Sequence, residues 1–318
     1  MTCIKCQHST VKKFGRYGRH RIQRYRCTSC STTFSDPKPA SSLGTMRIDE
    51  AKAMQAIQCL LEGCSIRSTE RLTGLHRDTI MSLLTLAGER CARLTNERMR
   101  NLKCNFIQCD EIWTFCFKKQ RRVRKDDPEE FGDQWVFVAI DAETKLVPSF
   151  VIGKRTRGTT DFLISDLAQR LTNRVQITTD GFRFYVHAIE RQFGADVDFA
   201  QLVKLYGDYG QHDHAAKYSP SPIMECISKV IQGNPDEEHI STSYVERQNL
   251  TMRMAMRRFT RLTNAFSKKL DNLKAAIALH FAYYNFCHVH KTLRVTPAME
   301  AGITEHVWSL SELLLLAN

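Results

Sequence analysis

The chain has 318 residues, 42% of them hydrophobic, which gives material for two or three structural units with real cores and argues against wholesale disorder. A formal net charge of +12 and a pI of about 9.2 suit a polyanionic partner, because Lys and Arg displace the counterions condensed on phosphates. The opening MTCIKCQHST lacks the apolar stretch of a signal peptide, and no run approaches the ~20 apolar residues of a membrane span. A cytoplasmic, nucleoid-associated protein with no membrane partner is expected, so its twelve cysteines are read as metal ligands or buried thiols.

Residues 1–35 are basic and poor in aliphatic side chains. Cys3-x2-Cys6 and Cys27-x2-Cys30 are two knuckles that can each grip one side of a tetrahedral ion. Four thiolates match Zn2+ and leave no open position, so a structural, zinc-ribbon-like unit is expected, with metal binding supplying the folding free energy its few apolar residues cannot. His8 and His20 lie nearby and are read as surface residues. Residues 36–46, DPKPASSLGTM, have the composition of a linker.

Residues 47–103 carry helical periodicity. Ala53, Met54, Ile57, Leu60 and Leu61 mark one face of a helix over Asp49–Glu62 that Gly63 ends. Ser65 or Ser68 caps a short helix that stops at Gly74, and a third helix runs from about His76 to Leu94. Short helix, Gly-containing turn and longer helix make a helix-turn-helix candidate, in which His76, Arg77 and Thr79 would reach base edges. An ordinary three-helix packing unit has the same pattern.

From residue 104 to about 300, strand and helix signals alternate, which implies an α/β domain. Strands are expected at Asn105–Phe117, Trp135–Asp141, Val147–Ile152, Val175–Thr179 and Ala200–Leu205. Helices are expected at Asp161–Leu171, Phe182–Phe193, Ser243–Phe259 and Lys268–Phe286, and 207–240 reads as irregular. Three strands, helix, strand, helix, strand is the order of a ribonuclease-H-like fold. Two further basic runs, 118–125 with Arg121 and Arg122, and 247–269 with Arg253 and Arg257, extend a phosphate track begun in residues 1–35.

Asp110 sits inside the apolar run FIQCDEIWTF, where a carboxylate is costly to bury without a cation or a partner. Period-two alternation sends Glu111 to the opposite face. Asp180 follows VQITT and precedes Gly181, at the end of a strand, where open α/β sheets place their ligands. Glu246 lies on the helix SYVERQNLTMRM, with Arg253 two turns on. Three such carboxylates can hold two Mg2+ (or Mn2+) ions for in-line attack at phosphorus. Asp141 and Glu111 remain alternative ligands on the sequence alone.

The segments QCDEIWTF, TTDGFRFY and SYVERQNLTMRM resemble the three blocks of DDE-type insertion-sequence transposases, and the whole chain looks most like the insertion-sequence-one type. The closing run YYNFCHVHKTLRVTPAMEAGI also looks like the segment that ends many such enzymes. The resemblance implies catalytic roles for Asp110, Asp180 and Glu246, and DNA contact near the cleaved phosphate for Arg253. It also implies metal-dependent cleavage and strand transfer on double-stranded DNA, terminal repeats and target alike, by a homo-oligomer on paired ends. The long interval from Asp180 to Glu246 implies an insertion, placed in 207–240, where His212, Asp213 and His214 lie. Two other functions fit parts of the pattern: a structure-selective nuclease of the same fold, and a DNA-binding regulator without catalysis.

Overall fold

The structure is a computed structural model that describes residues 2–17, 21–35, 43–44, 46–207, 222–260 and 263–316. Most of the expected linker, His20, and the group His212, Asp213 and His214 lie outside the described residues.

The N-terminal segment is a three-stranded antiparallel sheet: β1 (Val11–Tyr17), β2 (Ile22–Cys27) and β3 (Thr33–Ser35). Among the described residues its own core is Cys3, Cys27 and Phe34, with Val11, Tyr25 and Cys30 packed beside them. So small a cluster cannot offset the ordering entropy of some thirty residues by burial, which leaves the fold dependent on the cysteines.

Three helices follow: α1 (Glu50–Leu61), α2 (Ile66–Thr73) and α3 (Arg77–Arg98). Asp49 caps α1 by accepting from the Lys52 N–H at 3.0 Å. Ser65, rather than Ser68, caps α2 through the Ser68 N–H, and Gly74 ends it in a left-handed conformation (φ +69°). Glu70 of α2 accepts from the Arg77 N–H at 2.9 Å and so fixes where α3 begins.

The rest is a mixed α/β layer structure. A six-stranded sheet has the order β6-β5-β4-β7-β8-β9, built from β4 (Phe106–Cys116), β5 (Gly132–Asp141), β6 (Ser149–Gly153), β7 (Val175–Thr179), β8 (Val197–Tyr206) and β9 (Ile223–Gln232). β4, β7 and β8 run parallel to one another, and the remaining pairs are antiparallel. Helices α4 (Arg157–Ala168) and α5 (Phe184–Phe193) lie on the face that carries Cys109 and Glu111. Helices α6 (Ser243–Ala255) and α7 (Leu270–Phe286) lie on the face that carries Gln108 and Asp110. Short helices α8 (Pro297–Glu300) and α9 (Leu310–Leu316) close the chain.

Several expectations are corrected. Residues 207–240 are not irregular throughout, because Ile223–Gln232 forms β9 on the edge of the sheet. α4 starts at Arg157, four residues before the expected Asp161, because Thr156 rather than a later residue accepts from the Thr159 N–H. α6 ends at Ala255, and Arg257–Phe259 is a separate 3-10 turn.

One hydrophobic core runs from Leu43 through α1 and α3 to the sheet and on to Leu314, across the boundary expected near residue 104. α3 lies along α7 at Gly88, where an added Cβ would run into the backbone of Ala275. The closing YN…TP segment is structural as well. Asn285, fully buried, grips Val147 by accepting from its N–H and donating to its C=O, both at 3.0 Å. Thr296 caps α8 and Pro297 occupies its first turn. No helix among the described residues is long and apolar enough to cross a membrane.

Gly88→Val is expected to destabilise the chain by about 1–3 kcal/mol, since the helices must move apart to admit the side chain. Denaturant midpoints check this, and Gly74→Ala, which meets open space but a positive φ, should lose less.

Candidate functional site

The four N-terminal cysteines come together. Cys3 and Cys30 Sγ lie 3.5 Å apart, Cys6 and Cys27 Sγ 3.6 Å apart, and all four sulfurs fall within 4.8 Å of one another. A Zn–S bond of about 2.3 Å places sulfurs of a tetrahedral ion about 3.8 Å apart, so the set fits Zn2+. The residue after each knuckle, Gln7 (φ 55°) and Ser31 (φ 56°), is left-handed, which turns the chain sharply so that both cysteines of a pair face one point. The Thr32 hydroxyl and its backbone hold the Cys30 thiol down at about 6, toward the thiolate a metal needs. His8 takes no part, since its ring accepts from the Thr10 N–H.

The acidic site is assembled by strand register. β4 and β7 pair in parallel from Phe106/Gln176 to Cys109/Thr179. The next rung would join Asp110 to Asp180, and there β7 ends, so the two carboxylates stand side by side over an opening in the sheet. α6 is fixed above them by Gln108, whose Oε1 accepts from the Tyr244 and Val245 N–H groups at 2.8 and 3.2 Å. This side chain does the work of an N-cap, because Thr242 makes none and instead donates to Glu246 Oε1 at 2.6 Å. Asn249, one turn beyond Glu246, donates to Asp110 Oδ2 at 2.8 Å. Asp110, Asp180 and Glu246 all line one cavity of about 650 Å3, with Arg155, Arg183 and Lys204 on its walls.

Glu246 stands apart from the other two. The three acids whose oxygens lie within 4.8 Å of one another are Asp110, Asp180 and Glu111. Glu246 is held by Lys204 and Thr242. Glu111 joins the cluster from the other side of the strand. It does occupy the opposite face of β4, but β7 no longer separates the faces at that level, and its carboxylate reaches Asp180 around the strand end. Arg155 joins them, 3.0 Å from Glu111 and 3.8 Å from Asp180, with its guanidinium over the rings of Phe182 (4.1 Å) and Trp135 (4.8 Å). Asp141 is absent from the cluster: it is buried and accepts from the Thr144 N–H and hydroxyl at 3.0 and 2.6 Å, closing a turn.

Burial, together with the charges of Glu111, Asp180 and Glu246, pushes Asp110 up to about 7, and burial also raises Glu111. Glu111 Oε1 and Asn249 Oδ1 are buried oxygens without a partner among the described residues. Crowded carboxylates, raised proton affinity and orphaned oxygens together fit a hard divalent cation with oxygen ligands.

The residues expected to bind DNA are spread out. His76 and Arg77 are exposed at the start of α3, where Asp78 approaches both at 3.5 Å, and Thr79 is half-buried. Arg121 and Arg122 are exposed in a 3-10 turn. Arg253 is half-buried on α6, and Arg257 is exposed beyond its end. Sequence reasoning missed Gln108, Asn249, Arg155 and Lys204. The first two carried a signal, lying two residues before Asp110 and three after Glu246, each on the same face of its element.

No family model matches the chain, and no curated protein does. Among solved structures it is similar to a piggyBac transposase synaptic complex with hairpin DNA, at 12% identity over 85% of this chain and 71% of that one, with a TM-score of 0.36. It is also similar to a Mos1 transposase paired-end complex with left transposon end (12% identity, 51% and 60% covered, TM-score 0.20). The Mos1 strand transfer complex gives 12% identity, 77% and 78% covered, and a TM-score of 0.21.

Two outcomes are expected. Purified protein should carry about one zinc per chain, and Cys27→Ser should lose it and unfold residues 1–35 while the main body keeps its melting transition. Metal analysis and limited proteolysis check this. The second concerns pH. An ordinary Asp titrates near 3.9, so with Asp110 at about 7 the folded chain holds an extra proton between about pH 4 and 7. In chelator, stability should therefore fall as pH rises through that window, and Asp110→Asn should flatten the fall. Mg2+ should oppose it with affinity that strengthens toward pH 7. Melting temperatures across pH, with and without metal, would show otherwise if both proteins behaved alike.

Proposed function

We propose that the chain is a DNA transposase that cleaves the ends of a mobile element and joins them to target DNA, using Asp110, Asp180 and Glu246 as ligands for two Mg2+ or Mn2+ ions. The observation that carries the reading is the adjacency of Asp110 and Asp180 across the last parallel rung of β4 and β7, under a helix that brings Glu246 to the same cavity. The strand and helix order of 104–300 and its mixed sheet support a ribonuclease-H-like catalytic domain. The cysteine cluster of 1–35 supports a zinc-ribbon unit, and the α2–Gly74–α3 corner within 47–103 supports a helix-turn-helix.

When bound, the cations activate the attacking oxygen and stabilise the leaving one. The chain's own groups do the rest. Arg155, Arg183 and Lys204 give the cavity a positive wall that draws in and orients a phosphodiester. Glu111 holds Arg155 beside Asp180. Lys204 and the Thr242 hydroxyl hold Glu246 at the cavity wall, where it would serve as the third ligand to a bound cation. The exposed Arg121, Arg122 and Arg257, with the half-buried Arg253, continue the basic surface for duplex DNA, and pairing two ends implies a homo-oligomer on terminal repeats.

The test is cleavage and strand transfer on DNA carrying the element's terminal repeats. Asp110→Asn, Asp180→Asn and Glu246→Gln should each lower both steps by about a thousandfold while leaving DNA binding intact. Glu111→Gln should weaken activity by a smaller factor, through Arg155, and Asp141→Asn should leave it unchanged. Normal cleavage by all three ligand variants would end the transposase reading. Cleavage without joining by the wild type would make the chain a nuclease.

A further inference from the structure

A second cavity, of about 710 Å3, opens between the α1–α2 corner, the first turns of α3, the segment after α6 and the side of α7. It shares no residue with the acidic cavity. Among the described residues six cations line it, Arg67, Arg77, Arg257, Arg258, Lys268 and Lys269, and no acid does. Among the described residues only Arg77 of these has a carboxylate within reach, Asp78 at 3.5 Å. Arg258 donates to Ser267 Oγ at 2.7 Å, and burial with no acid to offset it lowers its pKa to about 10.

The rest of the lining is of another kind. Leu60, Met81 and Leu279 make an apolar wall, and the ring of Phe266, tilted on Phe115 at 4.8 Å, stands beside them. His280 also lines the cavity, only 4% exposed, and its Nε2 has no partner among the described residues. Burial keeps the ring neutral, with its pKa lowered to about 4. Unpaired cations call for an anion, an apolar wall with an aromatic ring calls for a flat body, and a buried orphan ring nitrogen calls for a hydrogen-bonding group. Inorganic phosphate would use only the first, and a fatty acid would leave the nitrogen unsatisfied.

We propose that this cavity takes one unpaired nucleotide, its phosphate on the Arg258–Lys268 rim and its base between Phe266 and His280. The nucleotide can belong to a DNA strand or be a free mononucleotide. The strand version rests on the DNA-processing reading above.

The experiment uses the full chain in chelator and three probes of arbitrary sequence: a paired duplex, the same duplex with one unpaired adenine, and dAMP, with inorganic phosphate as the control competitor. The bulged duplex should bind about tenfold tighter than the paired one, the value of one stacked base. The preference should be lost in Ala276→Phe, which fills the cavity, and in Lys268→Gln, an exposed rim change that leaves packing alone. It should persist in Asp110→Asn. dAMP should compete for the bulged probe where phosphate does not. Binding of dAMP without any preference for the bulge would assign the site to free mononucleotides. Equal binding of both duplexes with no competition by dAMP, equal competition by phosphate, or an undiminished preference in both cavity variants would overturn the proposal. Because no step needs metal or cleavage, a bulge preference in a chain that cuts nothing would leave this site standing and remove only the transposase reading.

Discussion

Three carboxylates, Asp110, Asp180 and Glu111, are held within 4.8 Å of one another in a partly buried place, and they cannot all be ionised there without positive charge beside them. Much of the surrounding structure answers that repulsion. Arg155 is trapped between two rings and aimed at two of the acids. Asn249 gives one of its N–H groups to the third. The parallel rungs of β4 and β7 keep the acids from moving apart, and Gln108 pins the helix that brings Glu246. Gathering these carboxylates at one end of a sheet costs local stability, the usual tension between a stable fold and a prepared site.

How much of this was legible in the sequence depended on whether the signal was local. β7 was readable in full, because VQITT, rich in β-branched residues, ends at Asp-Gly. α2 was readable because its cap and its stop lie within ten residues of each other. The two misplaced features depended on partners distant in the chain. Alternation put Glu111 on the far face correctly, but no local pattern shows that the neighbouring strand stops one rung short and lets the two faces meet. β9 was hidden because its side chains, Ile223 to Val230, are exposed on both faces, so it lacks the one-sided apolar alternation by which a strand is recognised. Asp110, Asp180 and Glu246 stood out by chemistry, as acids in apolar or basic surroundings. Arg155 carried no such mark, since an arginine between a strand and a helix is ordinary until its partners are known.

The same limit applies to the division of the chain. Composition sets residues 1–35 apart, and the buried cluster of Cys3, Cys27 and Phe34 lies within them. It also suggests a change near residue 104, where helical periodicity gives way to strands. Packing ignores that change, because the buried face of α3 is completed by α7, almost two hundred residues later. A boundary in periodicity is a boundary in secondary structure, and only contact decides whether it bounds a core.

The contact of Gly88 with Ala275 also bears on mechanics. α3 is a single helix of 22 residues, about 33 Å long, whose exposed start carries His76 and Arg77 and whose later turns are clamped to α7. With no linker between the two ends, the helix acts as a ruler. If its tip reads a sequence and the acids act on a phosphate, the two points are a fixed distance and a fixed angle apart. One added base pair between them would turn the target phosphate by roughly 34–36° around the duplex axis, at about 10–10.5 pairs per turn, and present a different face of the backbone to the acids. Such a protein would tolerate a changed base between the two points far better than a changed count.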